Sequence, residues 1–508
     1  NWTGGLDAKY ELGGGLLKYV EAGLEYTRSR FSSTLGHSIN YLPGTDQTPR
    51  LSDIGFEFEN LPIAAMARGQ PVYRFITRQS LIGVLGNLDR LTDSGLVSTY
   101  ESPDDPLASQ QYTREDDLSG YVQARVDIGK LEIIGGLRID RNRVAAGFVN
   151  GVKIYDEDFV LDQAYYDQTR VLVEGTNTVT SYLPRVLANF RPGKNLVFRA
   201  GYFSTVARPQ IQQLSTESII AYNATPMFGL TYSQPSLYIT EGNPALRPAR
   251  THNFDIGGEW YDGQVGVIKL NVFLKRISNL LESNVVGGFD SLGDFELPDH
   301  PVLNNLPANI FVTYETPVNN PGTATVWGFE AAFERRLSFL PGALSGLGVY
   351  ANYTYSKSRK RQQQTWIGSP VFDASGAIVD HVDLIYERVV PFDQSPRHSG
   401  TAGLTYSRRG FDASLYYTMQ SRRQFLNASF NLDEYQEAVR TLDFRGTYSF
   451  KLGGADMRLS LEALNLLRGR LDPNTEHSVG GVGGTPKYYT EGSYLGGRSF
   501  ALGLSATF

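Results

Sequence analysis

Apolar and polar residues alternate with a period of two in many separate stretches of this chain. In the last of them, Phe500, Leu502, Leu504, Ala506 and Phe508 share one parity, and Ala501, Gly503, Ser505 and Thr507 the other. The same alternation sets Ile268, Leu270, Val272 and Leu274 against Lys269, Asn271, Phe273 and Lys275, and Val122, Ala124, Val126 and Ile128 against Tyr121, Gln123, Arg125 and Asp127. It recurs over 347–356, 411–420 and 441–450. Period two is the signature of a β-strand whose two faces meet different surroundings. The second face repeatedly carries Arg, Lys and Asp, so it must be wet. The pattern predicts about fifteen strands, near 3–12, 16–33, 110–128, 131–149, 177–191, 196–208, 249–261, 265–278, 324–338, 344–359, 394–408, 411–425, 434–451, 455–467 and 493–508.

The connections between these strands alternate in length. Gly13–Gly15, Gly129-Lys130, Pro192–Asn195, Asp262–Gln264, Phe339–Ala343, Arg409-Gly410 and Leu452–Gly454 read as tight turns. Near 34–106, 150–176, 210–248, 279–322, 360–393 and 468–492 the connections are long and rich in Pro, Gly, Asn, Asp and Ser, with a shorter one near 426–433. Segregation of short and long connections to opposite ends belongs to membrane barrels, with short turns on the periplasmic side. The predicted fold is therefore all-β: a transmembrane antiparallel up-and-down β-barrel running over residues 1–508. An up-and-down barrel with both ends on one side needs an even number of strands. Fifteen is odd, so further strands are expected before Asn1. The competing account is one more hairpin inside 34–106, where Val72–Ile76 and Ser80–Val84 can pair.

Composition narrows the choice. The chain has 508 residues with 53 Gly, 30 Tyr and 27 Phe, yet only 41% hydrophobic residues, and its mean hydropathy is -0.26. No run of eighteen apolar residues exists, which excludes spanning helices. Cysteine is absent, which removes disulfides, thiolate metal sites and Cys nucleophiles. A net charge of -6 argues against nucleic acid as a partner. The six His are scattered without metal-ligand spacing. Gly242-Asn243-Pro244 reads as a turn, and the glycine-rich run from Gly480 to Thr485 lacks the strand-to-helix context of a phosphate loop. Nothing points to an enzyme or to a cofactor.

Several segments then read together: Phe203-Ser-Thr-Val-Ala-Arg-Pro209; the run from Thr240 to Tyr261, with Arg247-Pro-Ala-Arg250 inside it; Val326-Trp-Gly-Phe-Glu-Ala-Ala-Phe-Glu334; Leu459-Ser-Leu-Glu-Ala-Leu-Asn-Leu-Leu467; and Tyr494-Leu-Gly-Gly-Arg-Ser-Phe500. In this order and spacing they resemble the barrel half of TonB-dependent outer-membrane receptors, over roughly residues 110–508. The resemblance implies a plugged barrel of about 22 strands, of which this chain holds the C-terminal part. It also implies energy coupling through the TonB complex by an N-terminal box, a feature that lies with the plug outside this chain.

The candidate binding residues lie in the long connections. Asp104, Asp105, Asp156, Glu157, Asp158 and Asp162 could supply oxygen ligands to calcium or meet a cationic substrate; solvated loop charge is the alternative. Tyr165 and Tyr166 beside them are candidates for substrate contact. Arg422 and Arg423 suit lipopolysaccharide phosphates or snorkel to the interface. Tyr26, Tyr202, Tyr353, Tyr355, Tyr417, Phe425 and Tyr448 at strand ends suit an interfacial aromatic girdle. Arg125, Arg199, Lys269, Lys275, Arg445 and Arg458 are expected on the wet face, paired with Asp127, Asp255, Glu259, Asp443 and Glu462. The function these readings imply is uptake of a scarce solute (a metal chelate, vitamin, oligosaccharide or peptide) across the bacterial outer membrane. Its partners would be outer-membrane lipid, lipopolysaccharide and the TonB complex, and a partner lipoprotein has room over the long connections. A passive porin or outer-membrane scaffold is the alternative, and a soluble adhesin a third reading.

Overall fold

A computed structural model of the chain describes residues 1–33, 39–43, 58–60, 74–76, 97–101, 111–156, 160–214, 218–223, 236–263, 266–289, 297–306, 310–372, 378–426, 433–468, 475–479, 487–492 and 497–507. The chain forms two compact units, one of residues 1–31 and 112–508 and the other of residues 32–111.

In the larger unit, fifteen strands run antiparallel, each hydrogen-bonded to the next in chain order. They are Trp2–Glu11, Leu17–Ser33, Gln111–Ile128, Leu131–Tyr155, Val171–Phe190, Leu196–Ala207, Ala249–Asp262, Gly266–Ser278, Ala324–Arg336, Leu347–Phe372, His398–Arg408, Phe411–Gln420, Val439–Leu452, Ala455–Leu464 and Ser499–Thr507. These are the fifteen segments the alternation predicts. The short turns work as the sequence suggests. Arg409 and Gly410 take φ of 53° and 78°, the two positive angles of a tight hairpin turn whose twist matches its strands. No helix among the described residues is long and apolar enough to cross a membrane.

Register keeps each face uniform across this wall. Leu270 stands opposite Gly258 and Ala331, Val272 opposite Ile256 and Phe329, and Leu461 opposite Leu502. These apolar side chains are not buried: Leu270 is 51% exposed and Leu504 65%. A face of this kind is stable only against hydrocarbon. Moving a Leu or Ile out of water is worth roughly 1.5–3 kcal/mol, so about a dozen such residues contribute on the order of 20 kcal/mol in a bilayer. Tyr26, Tyr202, Tyr353, Tyr355, Tyr417 and Tyr448 share the apolar parity, and Tyr202 packs 5.1 Å from Phe254 and Tyr355 5.5 Å from Trp327. On the other face Arg125 pairs with Asp127 at 2.9 Å and Glu132 at 2.8 Å, Arg199 with Glu259 at 3.2 Å and Arg445 with Glu462 at 3.5 Å.

The smaller unit contains two short pairings, Ile39–Pro43 with Val97–Glu101 and Phe58–Asn60 with Arg74–Ile76. Of the hairpin suggested for this region, Arg74–Ile76 pairs with Phe58–Asn60, and residues 80–84 lie outside the described residues.

Candidate functional site

Four of the long connections are not the irregular loops their composition suggests: they build a second sheet beyond the wall. Leu131–Tyr155 continues past Asn150, where its pairing with Val171–Phe190 ends, and its last residues pair in parallel with Ser218–Asn223. That strand forms an antiparallel hairpin with Ser236–Glu241, which lies parallel to Phe311–Asn319. Phe311–Asn319 pairs antiparallel with Leu281–Phe289, which meets residues 365–367 of Leu347–Phe372 in parallel. Ile378–Val390 completes the row. Three of the connections form hairpins of their own, and parallel junctions join these to one another and to the end of Leu131–Tyr155. A lone hairpin would present unpaired N–H and C=O groups at its edges, and here the 210–248 and 279–322 hairpins are each paired along both edges.

One face of this rim sheet carries a closed apolar core. Val152 and Ile154, Ile220 and Tyr222, Leu237 and Ile239, and Val312 align across the pairings. Leu237 and Ile239 are each 1% exposed and Val312 0%. Leu303 and Ile310 complete the core, and Leu297, Val302 and Leu306 pack against it, partly buried. The outer edge of Leu131–Tyr155 is closed by the short helix Gln163–Thr169. Asp162 caps that helix, its carboxylate accepting from the Tyr165 N–H at 3.0 Å. The Asp162 N–H donates to the Ile154 carbonyl, and the Val152 N–H donates to Thr169 Oγ1.

The two candidate tyrosines straddle this edge. Tyr165 packs against the rim core, meets the His300 ring at a tilt of 50° with centroids 4.2 Å apart, and donates its hydroxyl to the Asp299 carbonyl at 3.0 Å. Burial, with the nearby Asp299 and Asp162 charges, raises its pKa. Tyr166 lies over Gly151, where a Cβ would meet its ring at 2.6 Å, and Lys153 and Arg170 sit over the ring at 5.5 and 5.8 Å. Any side chain at 151 would displace that ring.

Hydroxyls and carboxylates link neighbouring rim strands. Tyr314 donates to Glu241 at 2.6 Å; burial and then this bond push its phenol up to about 12. On the opposite face Tyr238 and Ser283 both donate to Glu315, the latter at 2.5 Å. Glu282 takes Lys360 at 3.2 Å and the Asn320 amide at 2.6 Å. Arg388 and Asp433 form a two-point pair, with Nη1 donating to Oδ2 at 2.7 Å, and both side chains are largely buried. The turn at Gly242–Pro244 is pinned from three sides: the Asn243 amide donates to the Pro317 carbonyl, its Oδ1 accepts from the Ala245 N–H, and the Asn177 amide donates to the Pro244 carbonyl.

The remaining candidates are scattered. Asp156 accepts the Val160 N–H at 2.8 Å in a turn. Asp104, Asp105, Glu157, Asp158 and the 480–485 run lie outside the described residues. Arg422 pairs with Glu437 at 2.8 Å and covers the Tyr435 ring at 4.3 Å, and Arg423 grips Gln436 Oε1 at 2.8 and 2.6 Å. Among the described residues no three His, Asp or Glu converge on a metal position. The sequence reading missed the rim core, the Arg388–Asp433 pair and the role of Asn320; their partners are too distant in the chain for any local spacing to reveal. At the rim end of the wet wall face, Arg208 meets Glu115 at 3.2 Å and Asp117 at 2.9 Å, and Asn142 donates to both carboxylates at 2.7 Å. What these surfaces offer is polar and ionic recognition on a stiff support.

A family model described as TonB dependent receptor-like, beta-barrel matches residues 1–466. No curated protein matches the chain. Among solved structures, the ferric-catecholate import receptor Fiu from E. coli K12 has a TM-score of 0.54 at 12% identity, covering 99% of this chain and 54% of its own. The siderophore receptor PiuA from Acinetobacter baumannii has a TM-score of 0.52 at 13% identity, covering 99% and 55%. The chain thus spans about half the length of the solved structures it matches.

Proposed function

The chain belongs to the TonB-dependent receptor family, a family of outer-membrane β-barrels, and from that premise we propose that it forms wall and outer rim of a receptor for energy-coupled uptake of a scarce solute. The observation that carries the proposal is the conjunction of that family match with a fifteen-strand wall whose apolar face is exposed and whose other face is lined with ion pairs. Members of this family are receptors and transporters rather than enzymes.

In this reading the long connections are extracellular and the rim sheet is the platform on which solute is first held. The polar row Tyr238, Glu315 and Ser283 offers hydroxyls and a carboxylate to a polar solute, on strands whose other face is anchored in the core. The wet wall face would meet a plug. Its apolar interruption, where Leu183, Leu187 and Phe203 line a groove of about 540 Å³ beside Arg138 and Arg185, suits such a contact. Fiu and PiuA are named for ferric-catecholate import and as a siderophore receptor, and an iron chelate is the first solute to test.

The test is uptake of a panel of labelled iron chelates, vitamins, oligosaccharides and peptides by cells that express the full receptor and lack their own. Accumulation of one class that stops when TonB is deleted is the expected result. Uptake that persists without TonB, falling off with solute size alone, would overturn the proposal in favour of a passive channel.

A further inference from the structure

Charge is divided unevenly along the chain. The four connections that build the rim sheet, 150–176, 210–248, 279–322 and 360–393, hold nineteen of the chain's 53 Asp and Glu but only six of its 47 Lys and Arg. The 279–322 connection alone has six acids and no Lys or Arg. Outside these four connections the chain is therefore net basic. Most of the six rim cations are already matched by neighbours. Lys360 takes Glu282, Arg361 takes Glu387, Arg388 takes Asp433 and Arg170 takes Asp167, while Lys153 lies over the Tyr166 ring. Arg247, the sixth, lies where the 210–248 connection returns to the wall.

Among the described residues, three rim acids receive neutral donors and no cation. Glu241 accepts the Tyr314 hydroxyl, Asp299 the Asn304 amide, and Glu315 the hydroxyls of Tyr238 and Ser283. Glu315 stands beside Thr240 and Val285, on the face of the rim sheet turned away from the Val312 core, and its partners Tyr238 and Ser283 are exposed. A hydroxyl has a single hydrogen. Tyr238 and Ser283 give theirs to Glu315, so this patch turns lone pairs outward: those of two hydroxyl oxygens and the remaining ones of the carboxylate. A group that binds here must bring N–H or O–H donors, and the uncancelled charge favours one that is positive. The exposed Tyr238 ring adds a surface on which a cation can rest.

We propose that the solute held on the rim is an organic cation, bound through an ammonium group at Glu315, Tyr238 and Ser283 and drawn there by the negative field of the rim connections. The assignment rests on the receptor reading above and narrows its panel: among iron chelates it selects those that carry positive charge. A bare metal ion is a poor occupant. Calcium needs about six to eight oxygens, and among the described residues no three His, Asp or Glu converge, whereas an ammonium is satisfied by one carboxylate and two hydroxyls. An anionic chelate is disfavoured twice, by its charge and because it would set acceptors against acceptors.

Equilibrium binding to the full detergent-purified receptor tests it with two probe cores, a ferric trihydroxamate chelate and an amino-trisaccharide, each with its amine free, acetylated or succinylated. For at least one core the free amine should bind at least roughly tenfold more tightly than the succinylated form, with the acetylated form between them. That preference should shrink as ionic strength rises from about 0.01 M to about 1 M. The variant E315Q keeps the size of the side chain and loses its charge. It should bind the free amine about tenfold more weakly and the acetylated form within about twofold of wild type, the loss of a charge-assisted hydrogen bond. Heat-modifiable gel mobility reports whether that variant is folded, and S283A, expected to weaken the free amine about threefold, serves if it is not. No preference for the free amine in either core, a preference for the succinylated form, or an undiminished preference in the folded variant would overturn the assignment. Uptake of the same probes separates the two proposals: TonB-independent uptake with the amine preference intact sinks the receptor alone, and TonB-dependent uptake of a succinylated probe in preference to its amine sinks the cation alone.

Discussion

The wall and the rim are both β-sheets, and they dispose of their apolar residues in opposite ways. In the wall, Leu270 and Leu504 stand in the open and every strand pairs with its neighbour in sequence. In the rim, Leu237, Ile239 and Val312 are sealed, and strands pair across connections that are dozens of residues apart. The wall takes its stability from a solvent, the bilayer. The rim carries its own core and would hold its shape in water. The difference teaches that exposure of aliphatic residues in this chain is a matter of which medium a strand was built for, and that its long connections are architecture in their own right.

The sharpest test of that contrast is one substitution made in both places. Leu237→Ala in the rim should cost about 2–5 kcal/mol, the transfer term plus a cavity, and should appear as increased deuterium exchange over 236–241 and 311–319 with wall protection unchanged. Leu270→Ala in the wall should cost about 2 kcal/mol at most, since lipid fills the space and only transfer is lost. Equal costs would erase the distinction. Next in size, Leu270→Arg should destabilise the folded barrel in lipid by about 2–4 kcal/mol, read from reversible denaturant unfolding in vesicles, whereas Ser283→Arg on the solvated rim face should cost about 1 kcal/mol, the loss of its hydrogen bond to Glu315.

A smaller effect is expected at the edge helix. Asp162→Ala removes the cap of Gln163–Thr169 and should cost about 1 kcal/mol, seen as faster proteolysis near 156–170 without loss of the wall. The smallest is alkaline. Tyr314 in the folded rim ionises near 12, held up by burial and Glu241, against an ordinary phenol near 10. A raised pKa of an acid means its contribution is complete below pH 10 and is lost as pH rises toward 12. The near-ultraviolet dichroism of the rim tyrosines should therefore fade over that window, and Tyr314→Phe should remove this step.

The wall was legible because period two is local: Ile268, Leu270, Val272 and Leu274 announce their strand without reference to any partner. Turn residues such as Arg409-Gly410 did the same for the tight hairpins. The rim was not legible, since Ser236–Glu241 and Phe311–Asn319 are short, carry mixed residues and become strands only through one another. Tyr165 and Tyr166 read in the sequence as a pair of aromatics among acids; that a helix sets one on each side of a sheet edge follows from Asp162, Thr169 and Gly151 acting together.

The parallel junctions of the rim have a consequence for how such a surface changes over time. A hairpin stitched on both sides to hairpins from other connections cannot lengthen, shorten or be exchanged by itself without leaving its neighbours with orphaned edges. Recognition surfaces of this kind should be inherited as sets. A chimera that transplants the 210–248 connection alone should fold poorly, whereas one that carries 150–176, 210–248, 279–322 and 360–393 together should keep its donor's preference for solute.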